Sequence, residues 1–93
     1  MTVENVFREL ELLLSDIAFS GLRNVQPVTL GKLEELKRCL YELNMTEGME
    51  RIDRLVKVFH EYRAGAVNAE SLASEFCALA FYEKHVLANI LRK

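Results

Sequence analysis

The stretch NVQPVTLGKLEEL, residues 24–36, holds the only proline of the chain and a Gly31-Lys32 pair. Its reading decides the fold class. A phosphate-binding loop here would join a strand to a helix and imply an α/β protein, whereas a plain helix start leaves the chain all-α. The loop pattern needs a glycine five positions before Gly31, where Gln26 stands. It also needs Ser or Thr after the lysine to hold magnesium, and Leu33 follows instead. An amphipathic helix, not a strand, precedes it. The stretch therefore reads as a helix start: Pro27 restricts the approach, Thr29 caps, Val28 and Leu33 have the spacing of a hydrophobic staple, and Gly31-Lys32 falls on the exposed side.

Working outward, apolar residues recur at i, i+3, i+4 and i+7 along almost the whole chain, the period of helices with one buried face. The spacing predicts four helices, over 3–20, 30–43, 47–64 and 69–92. The first carries Val3, Val6, Phe7, Leu10, Leu13, Leu14 and Ile17, with Gly21 placed as a left-handed terminator and Leu22 as its hydrophobic contact back to Ile17. The second carries Leu30, Leu33, Leu36, Leu40 and Leu43 and stops at Asn44, with Thr46 positioned to cap the third. The third carries Met49, Ile52, Leu55, Val56, Phe59 and Tyr62 and stops at Gly65. The fourth begins behind Asn68, with Val67 and Leu72 as a second staple, and carries Leu72, Phe76, Leu79, Ala80, Val86, Leu87 and Ile90. No alternating apolar and polar run or hairpin dipeptide marks a strand. Short connections favour antiparallel neighbours, so the expected fold is an all-α, antiparallel up-and-down four-helix bundle forming one domain over residues 1–93.

Composition narrows the function. With 93 residues, 51% of them hydrophobic, and a net charge of −2, the chain can bury a core without a disulfide or metal staple. An isoelectric point near 5.7 argues against a nucleic-acid binder that relies on phosphate contacts. Arg51, Arg54 and Lys57 do gather, but Glu50, Asp53 and Glu61 interleave with them, as on a solvated mixed-charge face. The longest apolar run, FCALAFY at 76–82, is far short of the ~20 residues that span a bilayer. The N-terminus reads as an amphipathic helix and not as a leader, and Cys39 and Cys77 lack a paired framework, so reduced thiols and a cytoplasmic setting are expected.

No motif carries catalysis or cofactor binding. The Glu-x-x-His pairs of bundle di-metal centres are missing, and Cys39, Cys77, His60 and His85 are scattered without zinc-site spacing. Neither cysteine has a glycine-shaped oxyanion loop beside it. No catalytic residue, cofactor or metal is therefore expected.

Two features break the pattern. Glu83 falls in the middle of the apolar stripe of the fourth helix, where a carboxylate is costly unless paired. It is either a polar anchor in a pocket or interface, with His60 as a second lining residue, or a group that sits at the wet edge of the bundle or pairs with Arg63, His60 or a tyrosine. Leu12, Phe19 and Phe81 lie nearly opposite the stripes of helices that already have a complete buried face. They mark a homodimer face, a groove for a partner helix, or the far side of a central helix, with charged residues such as Arg8 and Lys84 at the rim. A protein partner or a second copy is thus the expected contact, and a small-molecule-binding or enzymatic bundle around Glu83 and His60 is the alternative.

The run from Gly21-Leu22 through Pro27, then LGKLEELKRCLYELNM (30–45), RIDRL (51–55), Gly65 and ESLASEFCALAFYEK (70–84), resembles a helical segment that accompanies SWIM-type zinc-finger proteins in bacteria. The resemblance covers about two thirds of the chain and rests on leucine spacing and turn residues. It implies an accessory or scaffold module. The zinc-finger signature itself, Cys-x-Cys followed by Cys-x-His, is absent, so no metal or nucleic-acid role passes to any residue here.

Overall fold

The computed structural model describes residues 2–92. Among them are four α-helices, α1 (Val3–Ser20), α2 (Pro27–Glu42), α3 (Thr46–Arg63) and α4 (Ala69–Leu91), a short 3-10 turn (Leu22–Asn24), and no strand. Each helix packs on its two neighbours in the ring α1–α2–α3–α4–α1, and the backbones of diagonal helices stay apart among the described residues. This is the up-and-down bundle that short connections between amphipathic helices enforce. No helix among the described residues is long and apolar enough to cross a membrane.

Every helix turns one stripe to a shared core. Val6, Phe7, Leu10, Leu13, Leu14 and Ile17 come from α1, and Leu30, Leu33, Leu36 and Leu40 from α2. Ile52, Leu55, Val56 and Phe59 come from α3, and Leu72, Leu79 and Leu87 from α4. Each fully buried aliphatic or aromatic side chain of this kind stabilises the fold by about 1.5–3 kcal/mol relative to exposure. Val3, Leu43, Met49, Tyr62, Phe76, Ala80, Val86 and Ile90 are half-buried and close the flanks.

The helix ends correct the sequence reading in several places. Thr2 caps α1 and Asn68 caps α4, each through a side-chain oxygen that accepts a backbone N–H of the first turn. α2 starts three residues earlier than the leucine spacing predicts, because Pro27 occupies its first turn, where proline's missing N–H costs nothing and its φ is already helical. Thr29 is therefore inside the helix and its N–H donates to the Gln26 carbonyl. Val28 is 66% exposed, so the expected staple to Leu33 is not built. Likewise Thr46 is the first residue of α3 and not its cap, which is Met45.

Gly21 does end α1, but with φ 97° and ψ 139° it leaves the helix in an extended conformation open only to glycine, and the 3-10 turn follows. The Schellman ending expected there is found instead at the next two helices. Met45 N–H reaches the Leu40 carbonyl over Asn44 (φ 60°), and Ala66 N–H reaches the Glu61 carbonyl over Gly65 (φ 79°).

Two polar ties hold the α2–α3 side and the first connection. Lys37 Nζ lies 3.0 Å from Asp53 across the α2–α3 seam and 2.9 Å from Glu34 on its own helix. These bonds, Glu34 before Asp53, hold the ammonium above its ordinary pKa. Arg63, at the end of α3, donates to the carbonyl of Val25, whose side chain is buried under the connection.

Two glycines inside helices have opposite surroundings. A Cβ on Gly31 would meet nothing within 4 Å, whereas one on Gly48 would lie 3.0 Å from Leu40 Cδ1 and 3.2 Å from Tyr82 Cε2. Gly31→Ala is therefore expected to stabilise the bundle by about 0.5–1 kcal/mol through helix propensity. Gly48→Val should destabilise it by about 1–3 kcal/mol through overpacking. Urea unfolding of the two variants checks both signs.

Candidate functional site

The polar irregularity of the core is Glu83. The register that buries Leu79 and Leu87 on α4 places Glu83 four residues from each, so it cannot avoid the seam. It is 1% exposed, and its Oε2 is buried without a hydrogen-bond partner. Burial, foremost, and the Glu11 carboxylate of α1 push its pKa above the ordinary range, against a smaller opposing pull from Lys84. Glu83 is held in the core as a neutral acid more readily than as an anion.

The alternatives posed for Glu83 resolve geometrically. Arg63 is committed to the Val25 carbonyl, and His60 is exposed on α3. Neither residue pairs with it, and α4 does not leave Glu83 at a wet edge. Neither Glu83 nor His60 lines the hollows described below.

Immediately before Glu83, Tyr82 makes an aromatic contact that pins α4 to α1. Its ring centre lies 5.8 Å from that of Phe7 at a 57° tilt, and the Arg51 guanidinium carbon sits over the same ring at 5.6 Å. Arg51 is itself paired with Glu47, one turn earlier on α3, at 3.1 Å. The missing side chain of Gly48 makes room for the ring. Burial first, then Glu47, raises the phenol pKa, while Arg51 and the Gly48 amide pull it down. Residue spacing does not reveal this cluster, and by spacing alone Arg51 belongs only to a solvated face. The available signal is Gly48 itself, since a glycine inside a helical pattern commonly marks a close approach.

The outward residues are exposed but do not form one patch. Phe19 is 96% exposed, Phe81 77% and Leu12 67%. Leu12 stands on the rim of a hollow of about 370 Å³ between α1 and α2, floored by Leu13 and Leu36 and edged by Glu9, Asp16, Glu35 and Lys32. Phe81 lies on α4, which borders α1 and α3 but not α2. Arg8 is occupied by Glu4, 3.0 Å away on the same helix. A second hollow of about 410 Å³ opens at the end of the bundle between Val3, Met45, Val86, Asn89 and Ile90, and a third lies against Met45, Met49 and Tyr41.

The scattered metal-capable side chains stay apart. Cys39 is half-buried against the core, and Cys77 and His85 are exposed on α4, the latter near Asn89. Among the described residues no three His, Cys, Asp or Glu side chains group so as to hold a metal ion. No protein-family model, curated protein or solved structure matches this chain.

The raised pKa of Glu83 makes stability depend on pH with a definite sign. An acid whose folded pKa exceeds its unfolded value, near 4.5, binds its proton more tightly when folded. Its favourable contribution is complete below the unfolded pKa and is lost as pH rises through the folded one. Glu83→Leu is expected to stabilise the bundle at neutral pH by about 1–3 kcal/mol, the usual cost of an unsatisfied buried polar group. Glu83→Gln should flatten the same pH dependence. Urea midpoints measured against pH for the wild type and both variants test this.

Proposed function

We propose that this chain is a non-enzymatic helical interaction module that docks another polypeptide through its outer helix faces. The observation that carries the reading is the exposure of Phe19, Phe81 and Leu12 on helices whose buried stripes are already complete. Apolar side chains of this size gain nothing from water, and several of them on an otherwise finished bundle mark contact surfaces. The α1–α2 hollow supports a particular kind of partner. Its leucine floor suits an apolar side chain, and three carboxylates against one lysine on its edge suit a basic amphipathic helix. The accessory role implied by the SWIM-associated resemblance points the same way, and a cytoplasmic setting fits the unpaired thiols.

The alternative reading, a small-molecule or enzymatic bundle centred on Glu83 and His60, has less support. Glu83 is buried in the core, whereas His60 is exposed on α3.

Light scattering and affinity capture separate these readings. Leu12→Ser, Phe19→Ser and Phe81→Ser should leave the helical content unchanged and reduce self-association or partner capture, because each removes apolar area from an exposed surface. A monodisperse monomer whose captured partners are the same in all three variants contradicts the proposal.

A further inference from the structure

The buried anchors of α4 change in kind at Glu83, from Leu72 and Leu79 to Glu83 and Leu87. Up to Tyr82 the helix is locked to its neighbours. Leu72 and Leu79 are fully buried, and the Tyr82 ring is fixed by Phe7, Arg51 and the space above Gly48. From Glu83 onward the only other buried residue of α4 is Leu87. Val86 and Ile90 line the open hollow at the end of the bundle with Val3 and Met45. Among the described residues, no ion pair or side-chain hydrogen bond ties any part of α4 to another helix, so apolar packing and the Tyr82 cluster alone hold it. One of the two buried anchors of the segment from Glu83 to Arg92 is thus a carboxyl group whose Oε2 has no partner.

From this arrangement we propose that the segment from Glu83 to the end of α4 is a detachable arm, docked while Glu83 is neutral and released from α1 and α3 when Glu83 is charged. A carboxylate in the seam accepts no side-chain or backbone hydrogen bond at Oε2, so charging the group favours an opening that hydrates it. Opening costs little beyond the loss of Leu87 and the flanking contacts, and Tyr82 supplies the fixed point about which it frays. It widens the hollow that Val3 and Met45 share with Val86 and Ile90, while Tyr82 stays on Phe7.

The charged groups around Glu83 set the direction. From α1, Glu11 repels the anion, and from α4 itself Lys84 attracts it. From α3, Glu47 and Arg51 meet at Tyr82, one residue earlier, and are paired with each other. Arg23 of the 3-10 turn is exposed. The arm operates whether or not the outward residues dock a partner, so its test is separate from that of the proposed function.

Hydrogen exchange of the full chain, followed by mass spectrometry and corrected for the intrinsic pH dependence of amide exchange, tests the proposal. In the wild type, protection over 84–92 should fall by at least about tenfold between about pH 4.5 and about pH 8, while protection over 69–80 is kept. In Glu83→Gln and Glu83→Leu the segment should stay protected throughout. Glu11→Gln, a change at an exposed position, should move the release to lower pH, because it removes the repulsion that favours the neutral form. Constant protection in the wild type, joint loss over 69–80 and 84–92, or release in the Glu83 variants like that of the wild type would overturn the arm. So would an unmoved midpoint in Glu11→Gln.

Discussion

Closing this bundle requires α4 to carry a carboxyl group into the seam, because the turn that buries Leu79 and Leu87 also buries Glu83. A ring of four helices gives each member two neighbours and one inward stripe, so α4 cannot rotate Glu83 outward without exposing the leucines. No hydrogen bond meets its Oε2, and burial favours its neutral form over the anion. In the detachable-arm proposal, that preference ties the docking of the last turns of α4 to a proton. The α2–α3 side opposite is held by leucine packing plus the bridge from Lys37 to Asp53.

The close approach of α3 and α4 at Gly48 explains why the fourth helix stays in place despite this defect. A glycine in the first turns of a helix weakens it locally, since the chain gives up more conformational freedom there than alanine would. Here the loss is offset by seating Tyr82 between Phe7 and the Arg51 guanidinium. The aromatic cluster and the orphan carboxyl are adjacent in sequence and opposite in effect. One fixes α4, and the other loosens its last turns.

Much of this architecture is legible from residue spacing, and the limits have physical causes. The four leucine-rich stripes, the all-α class, the cap at Asn68 and the stops at Asn44 and Gly65 come from local rules, and the structure bears them out. So does the placement of Glu83 on the apolar stripe, since register alone determines it. Leucine spacing misplaces the start of α2 because it ignores the preference of proline for a first helical turn. The ending of α1 escapes local rules because glycine permits more than one positive-φ conformation, and tertiary packing selects between them. Whether Glu83 finds a partner, and which ring Gly48 makes room for, depends on residues brought from other helices, which no single stripe reveals. For the outward residues, spacing indicates exposure at Leu12, Phe19 and Phe81 but not their distribution over separate faces.

A docking role and a proton-sensitive arm are compatible, since both use apolar surface that the bundle leaves outside or only loosely covers. The arm and the pH dependence of stability both rest on Glu83 being buried and holding its proton above the ordinary carboxylate range. Carbon-detected NMR titration of the side-chain carboxyls measures this directly. The Glu83 resonance is expected to titrate at a pH clearly above those of the exposed glutamates, and Glu11→Gln should lower its midpoint. A Glu83 midpoint in the ordinary range near 4.5 would contradict a buried, neutral acid at the seam.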